Sequence, residues 1–336
     1  MTASAPGARM AAEIAEQPAA LARLLSDGAA PIAAARDLIE RRAPRFMLFA
    51  ARGTSDHAAL YAKYLTEIQL GRPAGLASPS TMTVYGAHPD LSDVLFVAVS
   101  QSGGSPDLVD SLRRARECGA LTVALTNEPS SPLAAAAEIG LDLHAGPERA
   151  VAATKSYTAE LLALRLLLVG AAGADAVPEA AARTLESTAA TAAAARYRFA
   201  DRLIVTARGY SYPTAREAAL KLMETSYVSA QAFSAADLLH GPLAMIDTGV
   251  PVIAVVSPGR GGAAMADAMA RLAGTGADIL RVGPREGVPI ESDGVPEDLL
   301  PVLEILPLQQ LAWQLALDRG TDPDRPRGLA KVTSTW

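Results

Sequence analysis

Cysteine, net positive charge and long apolar runs are all scarce here, and each scarcity closes off a class of function. Cys118 is the one cysteine in 336 residues. A single thiol cannot form an internal disulfide, no Cys/His cluster offers zinc-ligand spacing, and a reducing, cytoplasmic compartment is expected. The net charge is −6, so the overall field does not favour nucleic acid or anionic membrane. No run of ~18 uninterrupted apolar residues occurs, so no transmembrane helix is expected. The opening MTASAPGARMAAEIAEQPAAL lacks the apolar core of a secretory signal. Neither GxxxxGKS nor a GxGxxG behind a strand is present, so no nucleoside triphosphate or dinucleotide is indicated.

What is present is a chain that is 50% hydrophobic, which rules out disorder and supports a large core. Its length suits two domains of ~150 residues each. Short apolar runs predict strands at FMLFAA (46–51), VLFVAV (94–99), LTVAL (121–125), GLDL (140–143), LIVTA (203–207), VIAVV (252–256) and ILRV (279–282). Helical patterns such as DHAALYAKYLTEIQ and PDLVDSLRRARECG lie between them. Strands apolar on both faces, alternating with helices, indicate an α/β fold with parallel sheets covered on both sides.

Two segments match. LFAARGTSDHAALYAKYL (48–65) and VTARGYSYPTAREAALKL (205–222) each run strand, Ala-Arg-Gly-x-Ser, alanine-rich helix. Arg52 and Arg208 stand 156 positions apart (208 − 52). Two similar halves are therefore expected, joined by a connecting helix over 176–198. The predicted layout is N-terminal helices at 1–42, a first domain at 43–175, the connecting helix, a second domain at 199–320 and a tail at 321–336.

In an open parallel sheet, ligands sit beyond the carboxyl ends of the strands. Two such ends are small and polar: Arg52-Gly53-Thr54-Ser55, and Ser100-Gln101-Ser102-Gly103-Gly104-Ser105. Glycines let backbone approach a ligand, and Ser105 before Pro106 opens a helix whose free N–H groups face the same place. Ser105 alone reads as a cap. The set Ser100, Gln101, Ser102 and Ser105 reads as a phosphate cradle for a small phosphorylated molecule, with hydroxyls in place of lysines.

In the second half, Glu217, Lys221 and Glu224 fall at i, i+4 and i+7 on one face of an otherwise apolar helix. Surface helices carry such pairs too, but this one is too apolar to be freely exposed, so the stripe is expected to face a cleft where a carboxylate can serve as a general base. His240 is held between apolar residues and Gly241-Pro242. His57, His88 and His144 have weaker settings. Lys331 lies in PRGLAKVTSTW, where flanking apolar residues suggest that the tail docks.

The motifs RGTSDHA, SQSGGSPD, ERAVAATKSYTAEL, EAALKLMETSYVSAQAF, LLHGPLAMID and GLAKVT together resemble the double sugar-isomerase (SIS) domain family, and specifically the isomerase half of glutamine–fructose-6-phosphate aminotransferase. The resemblance implies two tandem domains, each a five-stranded parallel sheet in a flavodoxin-like three-layer sandwich. It implies that Thr54 and Ser55 line the sugar site, that Ser100, Gln101, Ser102 and Ser105 hold the phosphate, and that Val151 and Ala153 contact the sugar. Serine is usual in the synthases where Ala153 stands, so one hydroxyl contact is missing. Glu224 would move a proton between C1 and C2, with Lys221 beside it and Glu217 organising the site. His240 would open the sugar ring of a neighbouring subunit, which implies a homodimer. Lys331 would reach the carbonyl end of the open sugar. No metal or redox cofactor is implied.

The synthases carry a glutaminase domain with cysteine directly after the initiator methionine. Here Thr2 follows Met1, so glutamine-dependent synthesis is not expected. SQSGGSPD resembles stand-alone type II glucosamine-6-phosphate deaminases more than the SQSGET of synthases. The expected activity is conversion of glucosamine 6-phosphate to fructose 6-phosphate and ammonia. The alternatives are a galactosamine-6-phosphate deaminase/isomerase, a fructosamine-phosphate deglycase, or a non-catalytic sugar-phosphate sensor.

Overall fold

The computed structural model describes residues 5–284 and 286–331. The chain folds as two compact units, neither of them contiguous in sequence. One comprises 19–148, 155–175 and the chain from Ala330 on; the other comprises the chain up to Pro18, 149–154 and 176–329.

The first unit is built on a five-stranded parallel sheet in the order β2-β1-β3-β4-β5, with β1 Phe46–Ala50, β2 Ala74–Leu76, β3 Val94–Ser100, β4 Leu121–Thr126 and β5 Ile139–Asp142. The central strand β3 is buried from Leu95 to Ser100, and β4 is buried throughout. Runs apolar on both faces meet that demand, with Ser100, Thr122 and Thr126 as buried polar positions, which is why these runs are legible in the sequence. Phe96, Leu108 and Leu112 form one face of the core with Ala98 and Ala124. Burial of each large side chain contributes about 1.5–3 kcal/mol.

The second unit carries a four-stranded parallel sheet, β7-β6-β8-β9, from β6 Arg202–Ala207, β7 Ser229–Ser234, β8 Val252–Val255 and β9 Ile279–Val282. The expected fifth strand is absent among the described residues. Val288 makes only an isolated parallel bridge to Val282. The leucine-rich helix Leu300–Asp318 packs against the helix Tyr212–Ser226 in this unit.

Two further expectations change. The single connecting helix over 176–198 is three pieces: helices Val177–Glu186 and Ala189–Ala194 and a 3-10 turn Ala195–Tyr197. Ser187 is extended and breaks the run, because a serine at a helix end competes for backbone hydrogen bonds. The N-terminal helices divide between the units at Pro18. In the four-stranded unit Glu13 accepts hydrogen bonds from the backbone N–H of Arg149 and Ala150, and Met10 and Ile14 pack on Ala150 and Ala152. An N-terminal helix thereby holds 149–154 in place. Among the described residues, no helix is long and apolar enough to cross a membrane.

Candidate active site

In the five-stranded unit, β3 ends at Ser100 and the helix Pro106–Glu117 begins five residues later. The turn between them is tied by its own hydroxyls. Ser100 Oγ accepts from the Gly103 N–H at 3.1 Å, and Ser102 Oγ accepts from the Gly104 N–H at 3.3 Å. Gly103 has φ +59°, and a Cβ there would run into the Ser131 side chain. Only glycine suits both the left-handed backbone and the close approach. Ser105 is the N-cap residue, yet its hydroxyl makes no capping hydrogen bond. That leaves the hydroxyl available to a ligand, against the reading of Ser105 as a cap.

Arg52 connects this turn to the one after β1. Its guanidinium meets the buried Asp107 carboxylate through Nε at 2.9 Å and Nη2 at 2.7 Å. Thr54 is half-buried at the start of the helix Thr54–Gln69. Ser55 is buried, and its hydroxyl donates to Glu160 at 2.7 Å. Ser55 is therefore engaged inside the fold.

A cavity of about 540 Å³ lies in this unit, lined by Gln101, Ser102, Asn127, His144, Glu148 and Lys331 among others. The Lys331 ammonium donates to Glu148 Oε2 at 3.2 Å. Lys331 is held by this ion pair, whereas the apolar residues before it, Leu329 and Ala330, are exposed and do not dock as expected; Val332 and Thr333 of the same motif lie outside the described residues. Glu148 was not singled out by the sequence. It stands inside the motif ERAVAATK with nothing to mark it as buried.

In the four-stranded unit, Glu217, Lys221 and Glu224 project from the helix Tyr212–Ser226. Lys221 is wholly buried, with Nζ 2.6 Å from Glu224 Oε2 and 3.3 Å from Glu217 Oε1. Burial alone would push the ammonium toward neutrality. The two carboxylates outweigh it by charge and hydrogen bonding, and the Lys221 pKa is raised. Lys221 therefore stays cationic and cannot act as a base. Glu217 is fully buried, whereas the Glu224 side chain is 20% exposed. Of the three, only Glu224 can meet a substrate.

His240 follows the short helix Ala235–Leu239 and is exposed, and the next residue, Gly241, has φ +133°. Along 149–154 the burial alternates: Ala150 and Ala152 face the core, Val151 and Ala153 the other way, half-exposed.

The four-stranded unit repeats the turn chemistry of the other with one difference. Ser211, the counterpart of Ser55, donates to the buried Glu304 at 2.7 Å. The turn after β8, Ser257–Gly262, corresponds to the turn after β3, but a carboxylate already occupies it. Glu297 accepts from the Gly261 N–H at 2.8 Å and packs against Gly259. A cavity of about 450 Å³ opens beside this turn, lined in part by Ser257, Arg281 and Asp293. Its size is close to that of the other cavity, but a carboxylate already takes up an N–H of the turn beside it.

The SIS domain signature matches residues 42–170 and 197–291. The chain belongs to the SIS domain family. The first SIS match holds the turn 100–105, and the second holds Glu217, Lys221, Glu224 and His240; Lys331 lies beyond both. A glutamine–fructose-6-phosphate aminotransferase (isomerizing) from Pyrobaculum aerophilum is 35% identical over 97% of this chain and 57% of its own length. This SIS chain thus spans little more than half of the curated relatives it matches. A crystal structure from Silicibacter pomeroyi DSS-3, of a protein proposed to be a phosphosugar isomerase, superposes with TM-score 0.83 at 35% identity, over 94% of this chain and 99% of that one. Glucosamine-6-phosphate deaminase from Thermotoga maritima shares the fold at TM-score 0.79 and 23% identity, over 98% and 100% of the two chains.

Proposed function

We propose that this SIS protein deaminates glucosamine 6-phosphate to fructose 6-phosphate and ammonia. The observation that carries the reading is the open cradle in the five-stranded unit: Gln101 and Ser102 line one cavity with Lys331, and the Ser105 hydroxyl is unspent. The cradle offers hydroxyls, an amide and a helix N-terminus to a dianion without global positive charge. The SQSGGSPD form of this turn is what favours a deaminase over a synthase.

In this reading the turn anchors the phosphate and His240 assists ring opening to the C1 aldehyde, in the site of a second subunit of a homodimer. Glu224 removes the C2 proton, giving an enolamine, and returns it to C1. The product is an imine at C2, which water hydrolyses to the ketone with release of ammonia. The Lys221 cation is fixed beside Glu224 throughout and keeps its carboxylate oriented. A positioned acid/base group of this kind contributes ~10²–10⁴-fold, and anchoring by the phosphate supplies orientation.

The test mixes the protein with glucosamine 6-phosphate, without glutamine, and follows both products. Equal release of ammonia and fructose 6-phosphate, lost in Glu224→Gln with ligand binding retained, is the expected result. Silence with this sugar and turnover of galactosamine 6-phosphate or a fructosamine phosphate would move the assignment to those substrates. Tight sugar-phosphate binding without turnover of any of them would identify a sensor.

A further inference from the structure

Lys331 and Glu148 form an ion pair that faces the cavity of the five-stranded unit from a fixed base. Glu148 has a fully buried side chain, while that of Lys331 is 25% exposed. Hydrogen bonds from Ser156 and Lys331 hold the carboxylate. Ser156 donates twice, its N–H to Oε1 at 3.1 Å and its hydroxyl to Oε2 at 2.7 Å, and Lys331 Nζ donates to Oε2 at 3.2 Å. Ser156 lies in the first turn of the helix Lys155–Leu168, where backbone N–H groups lack intrahelical partners and negative charge is favoured. Capping that helix explains why a carboxylate stands here. It does not explain why the carboxylate also takes the ammonium of a lysine some 180 residues further along the chain.

We propose that Glu148 is the positioning residue for Lys331: it holds the ε-amino group beside the Gln101–Ser102 turn and takes up its proton when the amine adds to a ligand's carbonyl carbon. The inference rests on reading that turn as a phosphate cradle. An ammonium has no lone pair, so one proton must leave before attack. Glu148 Oε2 lies at hydrogen-bond distance and the two Ser156 donors keep it in place. The amine nitrogen then bonds to the carbonyl carbon, the carbonyl oxygen takes a proton, and loss of water leaves an imine. The role explains why a long, flexible side chain is tied down at the cavity wall: an oriented amine loses little freedom on reaction.

The experiment uses pyridoxal 5′-phosphate, which carries both a phosphate and an aldehyde, followed by borohydride reduction and mass-spectrometric location of the adduct. Lys331 is expected to be modified in the unaltered protein. Glu148→Gln keeps the volume and removes the proton acceptor, so the Lys331 modification rate falls on the order of 10²-fold. The remaining rate should rise with pH as solvent takes over the proton, whereas the unaltered protein varies less. Arg23, Glu128, Asp142 and His144 also face the cavity and are the same in both proteins, so the difference isolates Glu148. Fructose 6-phosphate binding, measured by calorimetry, should change far less than the labelling rate. Should Glu148→Gln fail to fold, Glu148→Asp keeps the charge and withdraws it from Lys331, with the same expected loss. Equal Lys331 labelling in the variant, or no Lys331 labelling in the unaltered protein, overturns the proposal. Absence of glucosamine-6-phosphate turnover with the labelling difference intact overturns the deaminase reading and leaves this one standing.

Discussion

Ser211 donates its hydroxyl to the buried carboxylate of Glu304 at 2.7 Å. Thr214 donates to the other oxygen at 3.0 Å. In the other unit Ser55 donates to Glu160, also at 2.7 Å. The repeated Arg-Gly-x-Ser turn thus has one internal task in both halves: its serine satisfies a carboxylate that a leucine-rich helix carries into the core.

Burial pushes the Glu304 pKa up, the hydroxyl donors offset part of that, and the nearby Glu297 charge adds to it. A carboxyl group raised in the folded state contributes its stability fully below the unfolded carboxyl pKa and loses it as pH rises through the folded value. Glu304→Gln removes that loss. The variant should gain stability relative to the unaltered protein on going from pH 4 to pH 8, read as the difference in thermal midpoints. A difference that is flat with pH would contradict the assignment.

Lys221 sits without solvent contact between two carboxylates. Lys221→Met strips its counter-charge from Glu217, which is also buried. Breaking a buried ion pair from one side costs about 3–5 kcal/mol, measurable by urea unfolding. Adding Glu217→Gln to the same chain should recover much of the loss. If the double variant is no more stable than the single one, the charge argument fails.

Gly103→Ala places a methyl group against Ser131 on a backbone at φ +59°. The left-handed conformation costs roughly 1–2 kcal/mol, and relief of the clash must move the turn that holds Ser100 and Ser102. Sugar-phosphate affinity should fall by on the order of tenfold or more, the equivalent of ~1.4 kcal/mol. Unchanged affinity by calorimetry would place the phosphate elsewhere.

Calorimetric titration with fructose 6-phosphate should give one site per chain. The turn after β3 has an unspent serine hydroxyl, whereas the turn after β8 already holds the Glu297 carboxylate on the Gly261 N–H. Two equivalent sites per chain would mean that Glu297 gives way to phosphate.

The central strands were legible in the sequence as largely apolar runs, and so were the short edge strands β5 and β9. β2 and β7 were not. Ala74–Leu76 is three residues within GRPAGLASPS, and Ser229–Ser234 reads SAQAFS with half of its positions polar. These edge strands pair on one side only, and their pairing comes from the neighbour rather than from side-chain hydrophobicity. Lys221 with its two glutamates was visible, because three charges at helical spacing among alanines and leucines are conspicuous. Glu148 and Glu160 were not, because a glutamate looks the same in sequence whether it faces water or a buried serine. A single glutamate amid the leucines of LPVLEILPLQQLAWQLALD was the available clue to Glu304.

The discontinuity of both units bears on the order in which the chain can be built. The helix Ala8–Ala15 is made well before part of what secures it: Gly7 and Met10 donate backbone N–H groups to Asp322 and Asp324. At ~5–20 residues per second of synthesis, Ala150 and Ala152, on which Met10 and Ile14 pack, come first, and Asp322 and Asp324 follow the helix only after on the order of 15–60 seconds. The five-stranded sheet is complete once Asp142 has emerged, so it can close during that interval. Translation therefore imposes a schedule: the sheet of the half with the open cradle can form while much of its twin is still to be made, and the helix Ala8–Ala15 completes its contacts only once Asp324 has emerged.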